Sequence, residues 1–431
     1  MPTPPAVAFV TLGCPKNEVD SDRMRADALA SAYRVVGDTA DADVVVLNTC
    51  AFIQEAVEEA IAEILELSLW KQAREGRSLV VAGCLPSRYG GDLATELPEV
   101  DAFLPVAEER ALLRVLSELT GGSAKRGAGP TRTVECATAY LQVSDGCDRH
   151  CAYCTIPSIR GRHVSRPFAD VLAEARELLD GGARELVLVG QDVSAYGRDL
   201  APRRALADLV SAVASLPGEY RVRLMYLQPD GVSDELLAVM AASPRVCRYL
   251  DIPIQHASAV VLRRMGRPGD AASLFALVEH IRSLIPDVVL RTTVMAGFPG
   301  ETRADMAELT RFLVAAAFDY VGVFAFSPEE GTRAATLPEQ VPARTRVARA
   351  QRLRDTADAV GVGRAAAFVG STQIVLVEGV DEDGVTFGRT CGQAPEVDGL
   401  TLLDGPQTPG TFVRAHIVAS EFYDLIGEVL A

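Results

Sequence analysis

Short β-branched runs alternate with helical patterns along most of the chain, and this restricts the fold more than any other feature, because strand–helix–strand repeats assemble parallel sheets. Ala6 to Leu12, Val44 to Asn48, Leu79 to Ala82 and Ala102 to Val106 read as strands, with helices over Asn17 to Ser31 and Gln54 to Trp70. They predict an N-terminal α/β domain with a parallel sheet over residues 5–120. The aperiodic run from Gly121 to Pro130, rich in Gly, Ser and Pro, is read as a linker. Alternation resumes at Ala139 to Val143, Leu186 to Val189, Val222 to Leu227, Tyr249 to Ile254, Leu290 to Met295 and Tyr320 to Phe326. Six such strands predict a partial (β/α) barrel over 133–364, with active groups at the C-terminal strand ends. A long Arg- and Ala-rich helix, Arg344 to Phe368, follows. From Thr372 alternating strands broken by turns such as Asp381-Glu382-Asp383-Gly384 predict a small antiparallel β-barrel over 365–431.

The 431 residues carry 58 acidic and 42 basic side chains, a net charge of -16, which argues against non-specific nucleic-acid binding. No apolar run reaches the roughly 20 residues of a membrane span, so no membrane contact is expected. Met1 to Val10 has no export signature, and a cytoplasmic location is expected. Nine cysteines in a reducing compartment are better read as metal ligands or reactive thiols than as disulfides.

Two cysteine constellations stand out. Cys147-Asp148-Arg149-His150-Cys151-Ala152-Tyr153-Cys154 places three thiols directly after the first barrel strand. Three thiolates hold three irons of a cubane cluster and leave the fourth open, whereas electron-transfer clusters usually take four cysteines. A structural zinc on these cysteines and His150 is the alternative, at an unusual spacing. Cys14, Cys50 and Cys84 each follow a predicted strand immediately, and in a parallel sheet the C-terminal strand ends lie side by side. A second open three-cysteine cluster is the preferred reading over plain packing.

The CxxxCxxC stretch resembles the radical S-adenosylmethionine (SAM) superfamily, and with the second triad the whole chain resembles the methylthiotransferases of that superfamily. Further matches are Thr11 to Asn17, Ser144 to Gly161, Leu250 to Ser258, Gly297 to Thr302, Phe326 to Thr332 and Ala394 to Gly399. The resemblance implies a methylthiotransferase domain, a radical SAM core and a TRAM barrel. It implies two 4Fe-4S clusters, one on Cys147, Cys151 and Cys154 that binds SAM and one auxiliary cluster on Cys14, Cys50 and Cys84 that takes part in sulfur delivery. SAM would serve as radical source and methyl donor. Tyr153 lies where the family has an aromatic near the adenine, and Gln191 of Gly190-Gln191-Asp192 lies where SAM's amino group is often bound. Gln255, His256, Arg291 and Gly297 flank barrel strands, as substrate contacts or structural groups. An electron donor such as flavodoxin or ferredoxin is implied.

Within this family the nearest likeness is to the branch that modifies the β-carbon of an aspartate in the twelfth small-subunit ribosomal protein. The rival branch is the tRNA adenosine methylthiotransferases (MiaB-like); a different class is a non-transferase iron–sulfur redox protein. Residues 365–431 carry ten acids against Arg389 and Arg414, a net of -8. Such a barrel repels RNA phosphates and attracts a basic ribosomal protein, so no tRNA substrate is expected. Cys136, Cys247 and Cys391 have no cysteine neighbours at ligand spacing, and His163, His280 and His416 stand alone.

Overall fold

In the computed structural model, which describes residues 3–31, 33–129, 131–134 and 136–430, the chain divides into two compact units. The first comprises 1–133, 145–149 and 154–164, and the second 134–144, 150–153 and 165–431. The unit boundaries thus follow neither the three sequence spans nor the linker alone.

The first unit runs β1 (Ala6–Thr11), α1 (Pro15–Ala30), β2 (Arg34–Val36), β3 (Val44–Thr49), α2 (Gln54–Gln72), β4 (Ser78–Gly83), α3 (Cys84–Tyr89), α4 (Leu93–Glu96), β5 (Ala102–Pro105) and α5 (Leu112–Thr120). Its sheet is wholly parallel, in the order β2-β1-β3-β4-β5. Valine and leucine fill β3 and β4 because both faces of these central strands are covered. The edge strand β2, three residues long, has too little pattern to be read from sequence. Register aligns the strand ends: Thr11 pairs Asn48, Asn48 pairs Ala82, and Thr49 pairs Gly83.

Beyond it, β6 (Thr138–Gln142) opens the second unit's sheet, and β7 (Ser144–Asp145), α6 (Ile156–Ile159) and β8 (Val164–Ser165) are short elements around the cysteine loop. There follow α7 (Phe168–Asp180), β9 (Glu185–Val189), α8 (Leu206–Ala214), β10 (Arg221–Leu224), α9 (Asp234–Ala242), β11 (Val246–Asp251), α10 (Ala259–Met265) and α11 (Ala271–Leu284). The unit's sheet closes with β12 (Val289–Ala296), α12 (Arg303–Ala316), β13 (Tyr320–Ala325) and the 24-residue α13 (Ala343–Ala366). The six strands are all parallel, in the order β13-β12-β11-β10-β9-β6. One strand per helix in sequential order is the partial barrel the alternation predicts.

The C-terminal strands are β14 (Thr372–Val380), β15 (Thr386–Thr390), β16 (Thr401–Leu403), β17 (Phe412–Glu421) and β18 (Asp424–Val429), closed in the order β14-β15-β16-β18-β17. The expectation of an antiparallel barrel needs one correction: β16 and β18 are parallel. Five strands around a closed ring cannot alternate direction at every step, so one parallel pair is unavoidable.

A buried charge cluster ties this barrel to the six-stranded sheet. Glu185 accepts from Arg221 (2.9 Å), Arg223 (2.6 Å) and Arg389 (2.7 Å), and Arg389 also pairs Glu378. Burial alone would raise the Glu185 pKa; the three guanidinium groups outweigh it and hold the carboxyl well below the usual carboxylate range. Asp398, with its side chain buried, accepts from Tyr249 Oη (2.7 Å) and pairs Arg291 (3.3 Å). Three of the barrel's ten acids therefore bond to the six-stranded sheet: Glu378 accepts from Thr138 Oγ1 (3.0 Å), Glu396 from Tyr140 Oη (2.9 Å) and Asp398 from Tyr249 Oη.

Candidate functional site

The strand-end triad is built by the register of β1, β3 and β4. Cys50 and Cys84 lie two residues beyond the paired row Asn48–Ala82, and Cys14 lies three beyond Thr11 in the same row. The extra residue is Gly13, with φ +101°, and a Cβ there would overlap the Cβ of Cys50. Gly83, at φ +94°, precedes Cys84, and a Cβ there would overlap Asn48 Oδ1. Only glycine supplies this backbone and this closeness.

Asn17, fully buried at the start of α1, holds the three strand ends together. Its Nδ2 donates to Leu12 O (3.2 Å) and Thr49 O (2.8 Å), while Cys14 Sγ (3.5 Å) and Cys84 Sγ (3.9 Å) both donate to its Oδ1. Asn48 Nδ2 donates back to Asn17 O (2.9 Å) and Ser21 Oγ (3.0 Å). The same Asn17 Oδ1 accepts from Arg160 Nη2 (3.2 Å), a guanidinium 1% exposed that also pairs Asp20 (2.8 Å) and Asp145 (3.3 Å).

Burial pushes the Cys84 thiol up to about 12 and raises Cys50 as well, against the pull of the Arg160 cation. Burial likewise raises Asp20. A cation fixed beside two buried thiols and the half-buried Cys14 favours their thiolates once an electrophilic metal displaces the protons. The donor set fits a thiophilic iron cluster. Among the described residues no three His, Cys, Asp or Glu side chains are gathered tightly enough to hold one metal ion. A cubane presents separate irons to separate thiolates, so its ligands need not meet at one point.

Cys147 and Cys154 belong to the first unit and Cys151 to the second. Cys147 N donates to Gly161 O (3.2 Å), and Arg149 N donates to Cys147 Sγ (3.4 Å). The following segment is locked into the first unit by Thr155 Oγ1 donating to Phe52 O (3.1 Å) and by Ile159, which joins the apolar cluster under β3 and β4. In the second unit Arg267, 9% exposed, directs Nη1 at Cys151 Sγ (3.8 Å) and Nη2 at Gln228 Oε1 and Pro253 O (both 2.7 Å). Tyr153 stands edge-on to Phe298, 6.5 Å between ring centres, and Phe298 meets Phe326 in turn.

Gln191 directly follows the C-terminal end of β9, and its amide nitrogen and oxygen are both buried with no hydrogen-bond partner among the described residues. A buried amide left unpaired is costly and points to a polar ligand. His256 is fully buried, with Nδ1 accepting from Ser258 N (2.9 Å), while Nε2, 3.6 Å from Glu301, has no hydrogen-bond partner among the described residues. Arg291 pairs Asp251 and Asp398 and serves the barrel contact. At Gly297, φ +79°, a side chain would meet the backbone of α13 at Arg346. Gln255 sits in the left-handed region, φ +70°, bridged to Val294. Cys247 and Cys391, read as isolated, influence each other: the Cys247 thiol lowers Cys391 to about 6, while burial and the Cys391 thiol raise Cys247. Asn17, Arg160 and Arg267 received no role from sequence; the first two lie inside the stretches that carry the family resemblance.

Three family models match in order along the chain: the uncharacterized protein family UPF0004 at 6–105, the radical SAM superfamily at 141–313 and the TRAM domain at 369–430. The ribosomal protein uS12 methylthiotransferase RimO of Syntrophus aciditrophicus is 44% identical over 99% of this chain and 98% of that protein. The proteins of the same name from Geobacter sulfurreducens and Sorangium cellulosum are 40% and 42% identical, covering 99% and 98% of this chain and 98% and 91% of theirs. The chain belongs to the RimO methylthiotransferase family. Among solved structures, the radical SAM methyltransferase TsrM of Kitasatospora setae superposes with a TM-score of 0.58 at 14% identity over 77% of each chain. The cobalamin-dependent SAM radical enzyme OxsB gives 0.53 at 12% identity, covering 83% of this chain and 56% of its own. These two likenesses carry the fold alone. No helix among the described residues is long and apolar enough to cross a membrane.

Proposed function

We infer that this chain, like the RimO proteins it matches over nearly its full length, methylthiolates ribosomal protein uS12 at the β-carbon of an aspartate. The observation that carries the chemical reading is the convergence of Cys14 and Cys84 on Asn17 Oδ1 beside Arg160, with Cys50 packed against Gly13. Cys14, Cys50 and Cys84 would hold an auxiliary 4Fe-4S cluster, and Cys147, Cys151 and Cys154 a second 4Fe-4S cluster that binds SAM. When bound, these groups supply the radical that opens an unactivated C–H bond, together with the sulfur and the methyl group. Arg160 and Arg267 place positive charge at one triad and at Cys151, offsetting thiolate charge in each setting. Gln191 offers its unpaired amide to the polar end of SAM, and Tyr153, braced by Phe298, offers a ring to the adenine.

Substrate choice is assigned to the C-terminal barrel, where Asp381, Glu382 and Asp383 are all exposed. Their field favours a basic ribosomal protein and disfavours tRNA. A flavodoxin- or ferredoxin-type donor in the cytoplasm would supply the electron. The residue spans 5–120, 133–364 and 365–431 act as sulfur-delivery, radical and substrate-selecting segments. The test is anaerobic incubation of reconstituted protein with SAM, reductant and uS12 or, separately, tRNA. A gain of about 46 mass units on uS12 supports the reading, and a product on tRNA alone overturns it.

A further inference from the structure

On a chain of net charge -16, α13 is strongly basic. It carries six arginines against Asp355 and Asp358, a net of +4. Several are engaged inward: Arg346 donates to Phe326 O (2.8 Å), Arg354 to Val323 O (3.2 Å), and Arg364 pairs Asp319. The others face a groove between α12 and α13 that encloses about 710 Å³.

Arg303 and Thr310 line it from α12, and Arg344, Arg349 and Arg352 from α13, over a floor that includes Met306. With Thr345 and Ala348, which also line the groove, the α13 residues follow the 344–348–352 and 345–349–352 steps of one helix face, with Arg344 and Arg352 about 12 Å apart along the axis. Arg349 is fixed from behind by Glu301 Oε1 (2.6 Å) and Glu301 O (2.9 Å). Arg303, Arg344 and Arg352 are exposed, and among the described residues none of their guanidinium groups has a carboxylate or hydrogen-bond partner.

Guanidinium groups left without carboxylates in so acidic a chain suit an anion from outside. Among the described residues no aromatic ring lines the groove to stack a base, which suits backbone phosphates and a contact that carries no sequence information. We propose that the α12–α13 groove binds the phosphate backbone of RNA, and that the enzyme thereby engages its substrate on the RNA-containing small ribosomal subunit. This rests on the uS12 reading for the identity of the RNA, but RNA binding itself is measured separately. The acidic barrel and the arginine groove then divide recognition between a basic protein and its surrounding phosphates.

The test compares wild type with the triple variant Arg303→Gln, Arg344→Gln, Arg352→Gln, all at exposed positions, after circular dichroism confirms equal folding. Binding to purified small-subunit ribosomal RNA is followed against salt, with polyglutamate as the acidic-polypeptide control. Each lost phosphate contact should lower the slope of log K against log salt by about 0.7–0.9, so the triple variant should lose about two to three in slope. Methylthiolation of assembled small subunits should fall at least about tenfold near 0.15 M salt, while that of free uS12 stays unchanged. An unchanged salt slope, or polyglutamate bound as tightly as RNA, would overturn the proposal. No product with wild type on either free uS12 or assembled small subunits would instead overturn the substrate reading and leave the RNA slope to be judged by itself.

Discussion

Cys14, Cys50 and Cys84 are separated by 36 and 34 residues and meet only because β1, β3 and β4 pair in register, whereas Cys147, Cys151 and Cys154 occupy eight consecutive residues. The first constellation is a product of the folded sheet: two glycines in the left-handed region, a buried asparagine and a buried arginine are all needed to seat it. The second owes its spacing to the covalent chain and its surroundings to groups such as Arg267 and Gly161. The difference teaches that, with a cluster on each triad as proposed, loading at the strand ends would be linked to domain stability, while loading at the loop would depend on local geometry.

The largest expected effect separates the two triads outright. Cys147→Ala should abolish SAM cleavage, measured as release of the cleaved nucleoside, and lower iron from about eight to about four per chain. Loss of all iron would mean that the triads are not independent. Arg160→Gln should cost about 3–5 kcal/mol in urea unfolding of the apoprotein, because Asp20 and Asp145 lose their shared cation. It should also deplete iron at the strand-end triad and leave SAM cleavage in place. Gly83→Ala, which forces a side chain onto Asn48 at positive φ, should cost about 1–3 kcal/mol and weaken the same triad to a lesser degree. The smallest chemical effect is expected from Asp381→Lys, Glu382→Lys and Asp383→Lys together. Iron content and SAM cleavage should match wild type while turnover of uS12 falls, as measured by mass spectrometry; unchanged turnover would remove the charge argument.

Much of this was legible in the sequence for a physical reason. Strand ends in a parallel sheet are neighbours by topology, so three cysteines each following a strand mark one place without any knowledge of side-chain positions. Asn17 and Arg160 were not legible, because 143 residues separate them and only folding brings the guanidinium to the amide. Arg267 reaches Cys151 from 116 residues away and lies in none of the matched stretches. The charge count was legible in sum but not in placement: Asp398 is a counterion for Arg291 outside the barrel, so the barrel's outward field is weaker than -8 suggests, whereas the Glu378–Arg389 pair is already contained in that sum. Nor did net charge reveal that arginines gather on α13 with a free face toward α12.

The division of labour between the triads is tested most directly by Cys50→Ala, assayed with SAM, reductant and uS12 in one anaerobic reaction. Continued SAM cleavage with no gain of about 46 mass units on uS12 is the expected result. A methylthiolated product, or complete loss of SAM cleavage, would contradict the assignment of a separate sulfur-delivering cluster to the strand-end cysteines.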